Sequence, residues 1–195
     1  YDGTEITAYA KKGVILATGG YAANLVKVVT ENVYWSPEYL STTTKTTNRS
    51  SLQGDGVTMA QKSGAAVTGM GFTQLMPISW IDNGNLAFGG GNYACWINPN
   101  NGHRFVDEGS ERDVLSLAEF KNGMDYKGSK GVFLEFYNIA QKMPAPTQLP
   151  ETGDFPGRYY RRKISELPEL FKELGVKADP KVVEQTIRAY DKAVM

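Results

Sequence analysis

Three stretches of this sequence carry residue types that could do chemistry together. Asn98-Pro99-Asn100-Asn101-Gly102 is a turn, and His103-Arg104-Phe105-Val106-Asp107-Glu108 leads from it to a carboxylate, with Arg112-Asp113 just beyond. A guanidinium is a permanent cation with a rigid fork of donors, suited to charge that develops on a substrate. Arg112 stands four residues past Glu108, so on a shared helical turn the two would form a surface ion pair of little consequence, which is the plainer reading. Gly54-Asp55-Gly56-Val57-Thr58-Met59-Ala60 reads as a helix start. Such a terminus presents unpaired N–H groups and a partial positive charge, and can receive a phosphate or the polar edge of a cofactor. Asp55 suits helix capping, or accepting from a hydroxyl such as a ribose. Val14-Ile15-Leu16-Ala17-Thr18-Gly19-Gly20-Tyr21 ends an apolar run in small residues, which lets a ligand approach the backbone closely. A tight turn after a buried strand explains that run equally well.

The elements around these stretches follow from periodicity and punctuation. Residues 3–18 read as two strands, the second apolar on both faces. Ala22 to Asn32 reads as a short helix, 41–53 as a hydroxyl-rich loop, and Gly54 to Ser63 as a helix closed by Gly64. Residues 67–80 look extended, and 94–98 with 103–106 read as a hairpin around the Pro-Asn-Asn-Gly turn. Glu111–Phe120 suits a helix, Gly131–Tyr137 a strand, and the proline-rich stretch 143–157 a loop. Leu167, Leu170, Phe171 and Leu174 mark one face of a helix ended by Gly175. Asp179-Pro180 then starts a last helix with Val183, Ile187, Tyr190 and Val194 on its apolar side. Segregated strands and helices predict an α+β fold. Tyr21, Trp35, Trp80, Phe88, Tyr93 and Trp96 are candidates for a pocket wall, with core packing as the alternative.

Composition narrows the classes. Hydrophobic residues make up 41% and charged residues 22% of 195 residues, the balance of a globular protein. Lys plus Arg equals Asp plus Glu at 21 each, with no block of like charge, which points away from nucleic acid. No apolar run is long enough for a membrane-spanning helix. A single cysteine, Cys95, excludes an intramolecular disulfide and a cysteine-based zinc site, so no metal is expected. The single histidine, His103, has no nucleophile-elbow pattern beside it.

Taken in order and at these separations, the Ala17-Thr18-Gly19 strand end, the Gly54-Asp55-Gly56 helix start and the Arg104-Phe105 strand with Arg112-Asp113 beyond it resemble the FAD-dependent fumarate reductase/succinate dehydrogenase flavoprotein superfamily. The resemblance spans nearly the whole chain. It implies a partial FAD-binding segment over residues 1–66, a fringe of that α/β domain, followed by a substrate-capping domain over 67–195. It implies FAD contacts at Ala17, Thr18, Gly19 and Asp55. Arg112 matches the arginine that, in the family's fumarate reductases, protonates one carbon of a C=C bond while flavin N5 delivers hydride to the other. The small-molecule substrate and the electron donor would belong to the full-length protein. The family's GxGxxG segment is absent here, and strong elements stand at both ends without boundary signals, so an excised internal piece is expected, inactive and without flavin on its own.

Two departures bear on the substrate. Gln74-Leu75-Met76-Pro77 places Met76 where the fumarate reductases have a substrate-binding histidine, and Leu86-Ala87-Phe88-Gly89-Gly90-Gly91 lacks their proton-relay groups. A larger or less charged acceptor than fumarate is therefore expected, with Glu108 or Asp113 as substitutes in the relay. Two other readings stay open: a flavin dehydrogenase or oxidase running in the opposite direction, and a non-catalytic binding cap.

Overall fold

The computed structural model describes residues 2–87, 94–137 and 158–194. Five α-helices, one 3-10 turn (Ile164–Glu166) and four short strands are present among them: α1 (Leu25–Glu31), α2 (Asp55–Lys62), β1 (Ala94–Ile97), α3 (Arg112–Asn122), β2 (Met124–Tyr126), β3 (Ser129–Val132), β4 (Leu134–Tyr137), α4 (Leu167–Leu174) and α5 (Pro180–Val194). The strands form two antiparallel ribbons, β1 with β4 and β2 with β3. This mixture of helices and antiparallel strands is α+β, as expected.

β1 is buried along its whole length because each of its faces meets a different core. Side chains alternate across a strand. Cys95 and Ile97 pack with Leu167, Phe171, Ala178 and Val183 from α4, α5 and the turn between them. Ala94 and Trp96 face the other way, onto Leu115 of α3 with Phe105 and Phe133 beside them. A third cluster gathers Val28, Trp35 and Leu40 around α1, with Leu117 of α3 against it.

Local chemistry explains most termini. Asn24 caps α1 by accepting from Lys27 N–H at 3.0 Å. Asp179 caps α5 by accepting from Lys181 N–H at 2.9 Å. Gly175 ends α4 at φ 71°, a left-handed conformation that glycine adopts without a Cβ clash. Val183, Ile187 and Tyr190 of α5 face the core as their spacing predicts, whereas Val194 is exposed.

Several expectations are corrected. The two strands expected over residues 3–18 do not form; Ile6, Tyr9 and Ile15 are 84%, 93% and 92% exposed. A strand needs a neighbour for its backbone N–H and C=O groups, and no described segment lies alongside. The Pro99–Gly102 turn does form, with His103 O accepting from Asn98 N–H at 2.9 Å, but the hairpin reduces to one bridge, Ile97 with Arg104. The ladder partner of β1 is β4, nearly forty residues on. The single strand expected over 131–137 is divided. The break falls at Phe133, between β3 and β4, where the side chain turns into the aromatic cluster, its ring centroid 4.5 Å from that of Trp96. The β2–β3 hairpin was not anticipated. Its turn residues, Lys127 and Gly128, both have positive φ, the signature of a tight two-residue hairpin. Residues 67–80 contribute only the Ser79–Leu86 bridge. The proline-rich loop and Phe88 to Tyr93 lie outside the described residues. Among the described residues, no helix is long and apolar enough to cross a membrane.

Candidate functional site

The strand-end segment and the start of α2 are distant in sequence but adjacent in space. Gly56 is buried, and a Cβ built on it would collide with Thr18 Oγ1. A Cβ on Gly19 would come within 2.7 Å of Leu52. Gly54, the N-cap of α2, sits at φ 88° against Tyr21. The Thr18 side chain therefore lies directly on the first turn of α2, with Gly19 against Leu52 beside it, contacts that the missing side chains of Gly56 and Gly19 permit. Thr18, Gly19, Gly56, Val57 and Ala60 line a cavity of about 310 Å³ there. The N-cap glycine has no side chain to offer, so the first N–H groups of α2 keep their donors. Asp55 is the exposed first residue of α2 rather than its cap, and its carboxylate makes no hydrogen bond or ion pair with any described residue. Ala17 is exposed beside this cradle.

Arg112 opens α3 and is exposed. Its Nη1 donates to Gln74 Oε1 at 3.2 Å. Among the described residues it has no carboxylate partner. The pairing of Glu108 with Arg112 is thus a correction: α3 begins only at Arg112, and Glu108 lies before it, turned inward. Glu108 is buried, accepts from Trp96 N–H at 2.8 Å, and is gripped by the guanidinium of Arg104, with Nε at 2.9 Å and Nη2 at 2.5 Å. This charge-assisted contact raises the affinity of Arg104 for its proton. Asp113 is exposed and accepts from the Tyr34 hydroxyl at 3.3 Å.

A larger cavity of about 750 Å³ lies between the β ribbons, α3, α4 and the 41–48 and 73–81 segments. Gln74, Met76, Trp80, Lys45 and Glu119 are among its wall residues, whereas Arg112 and the residues of the α2 cradle are not. Of the aromatic candidates among the described residues, only Trp80 lines it. Trp35 and Trp96 are core, and the Tyr21 hydroxyl is spent on Met70 O. Glu119 was overlooked in the sequence because an acid near the end of an amphipathic helix looks solvated. Burial, and secondly the charge of Glu135, push its carboxyl up to about 9. Burial likewise pushes the Cys95 thiol up to about 12, so it is an inert core group.

A family model described as the FAD binding domain matches residues 1–195. The chain belongs to that family. Similar proteins include the NADH:acrylate oxidoreductase of Vibrio harveyi, 42% identical over 129 residues, which is 63% of this chain and 12% of that protein. The urocanate reductase of Eggerthella lenta is 34% identical over 60% of this chain and 20% of its own length. The NADH:fumarate oxidoreductase of Klebsiella pneumoniae is 30% identical over 60% of this chain and 12% of its own length. The matched part thus spans at most a fifth of these relatives. The chain is a fumarate reductase-like flavoprotein sequence, and its cofactor is FAD. The α2 cradle fits such a group. Glycine backbone, free helix-terminal N–H groups and one unpartnered carboxylate are the donors and acceptor that a dinucleotide's polar edge takes up.

Proposed function

We propose that this chain contributes to a flavin-dependent oxidoreductase that saturates the activated C=C bond of a small unsaturated acid, with Arg112 as proton donor. One observation carries the reading. Arg112 stands at the start of α3 with a neutral amide as its partner and no described carboxylate to neutralise it, beside the wall of the large cavity. A guanidinium is a weak acid, but it can protonate a carbanion more basic than itself, and its charge stabilises that carbanion as it forms. Ala17, Thr18, Gly19 and Asp55 would hold the cofactor, the first three through backbone contact and Asp55 through its carboxylate. When bound, FAD supplies the electron pair for reduction. Residues 1–66 belong to the cofactor side and 67–195 to a substrate cap; Val33 N–H to Gly71 O and Trp35 Nε1–H to Thr73 O tie the two stretches together.

The relatives' names give the substrate class its range: acrylate, urocanate and fumarate all present a C=C bond conjugated to a carboxylate or ring. Met76 on the cavity wall favours an acceptor with fewer charges than fumarate, because a thioether donates no hydrogen bond to a second carboxylate. Glu108 is locked to Arg104 and Trp96, which favours Asp113 as the group that returns a proton to Arg112.

The test is Arg112→Ala in the flavin-loaded full-length protein, assayed with acrylate and a reduced dye as electron donor. Loss of turnover by at least a thousandfold with flavin content unchanged is expected. Turnover that survives the substitution would remove Arg112 from the chemistry. A parent protein that binds acrylate but never turns it over would favour a binding cap instead.

A further inference from the structure

We infer that Gln74 reads the acid end of the substrate and at the same time positions Arg112, an inference that rests on the reductase reading above. Gln74 is the contact between the proton donor and the cavity. It lines the cavity, Arg112 does not, and Gln74 Oε1 accepts from Arg112 Nη1 at 3.2 Å. A primary amide whose oxygen is engaged still has two N–H donors. No described residue accepts from them, and Gln74 is exposed, so they are available to a ligand.

Met76 shows why this matters. Gln74 and Met76 both line the cavity, within a wall that takes in the whole of residues 73–81. Position 76 has no donor to offer a carboxylate, and position 74 has two. Recognition of the carboxylate therefore falls to Gln74 rather than to the residue before Pro77. A neutral amide suits both tasks. A carboxylate at position 74 would neutralise Arg112 and repel an acid, whereas the amide leaves the guanidinium its full charge and still attracts a carboxylate oxygen. The donor and the acceptor ends of one side chain then set the distance between the substrate's acid group and the proton donor.

The experiment compares Gln74→Leu and Gln74→Glu with the parent flavin-loaded full-length protein. Acrylate is the substrate, and propionate is the unreactive probe, its binding read from the shift it causes in the flavin absorbance. Gln74→Leu is expected to raise the acrylate KM and weaken propionate by at least tenfold, and to lower kcat through a less ordered Arg112. Gln74→Glu keeps the acceptor for Arg112 but loses the donors. Its acrylate KM is expected to rise and its kcat to fall as the new carboxylate ionises, and both to recover as pH falls. Should Gln74→Leu lose its flavin, the pH profile of Gln74→Glu decides the matter. Both variants within twofold of the parent in KM, kcat and propionate binding, with Arg112→Ala inactive, would overturn the role of Gln74 alone. An active Arg112→Ala would overturn the reductase reading and this inference with it.

Discussion

At the scale of single residues, burial separates charges that the sequence presents alike. Glu108 and Glu119 are both acids near apolar neighbours. Glu108 is buried with a guanidinium and a backbone N–H in contact, so its desolvation is offset. Glu119 is half-buried, with one carboxyl oxygen shut from solvent and lacking a described partner, and the Ser116 hydroxyl is likewise buried without one. Its carboxyl is pushed to about 9 against an ordinary 4.5, so between those values the folded chain holds a proton that the unfolded chain has released. Stability therefore falls as pH rises through that window, by at most about 1.4 kcal/mol per pH unit. Glu119→Gln is expected to flatten this slope and to be more stable than the parent at about pH 8, as read from urea midpoints at a series of pH values. Identical pH profiles for parent and variant would show that Glu119 ionises freely.

At the scale of elements, the contact between residues 17–19 and α2 depends on the missing side chain of Gly56. Gly56→Ala forces its Cβ against Thr18 Oγ1, and one of the two segments must move. Retained flavin is expected to fall at least tenfold in Gly56→Ala, measured as the flavin-to-protein absorbance ratio of the full-length protein after gel filtration. Thr18→Ala removes the clashing hydroxyl and should restore part of it in the double variant. No recovery, with both single variants folded, would mean that the two segments do not meet as described. The Gly-Asp-Gly motif was legible because a glycine pair around an acid before a helical pattern has a local meaning. Which segment packs on it has none, since thirty-five residues separate Gly19 from Gly54.

At the scale of the whole molecule, order is uneven. The β1–β4 ribbon is wedged between two cores, while residues 5–16 have no ladder partner and several exposed apolar side chains. Hydrogen exchange of this chain should show amides of residues 5–16 exchanging at nearly the unprotected rate, and those of the β1–β4 ladder at least about a thousandfold slower. Protection of residues 5–16 equal to that of β1 would mean that they have found a strand to pair with.

Helix positions, caps and apolar faces were largely determined by the sequence itself, because each depends on neighbours within four residues: Asp179 and Gly175 act at the termini they were expected to mark, and Val183, Ile187 and Tyr190 face inward. The resemblance to a flavoprotein family was likewise carried by motif order alone. Only the tertiary structure decided that β1 pairs with β4 rather than with residues 103–106, that Glu108 takes Arg104 and leaves Arg112 to Gln74, and that the carboxyl of half-buried Glu119 is shielded from solvent. Each of these is a choice between partners that periodicity ranks equally. The choice falls to whichever arrangement buries Trp96, Ile97 and Val183 without leaving the backbone of β1 unpaired, a condition on the whole chain rather than on any segment of it.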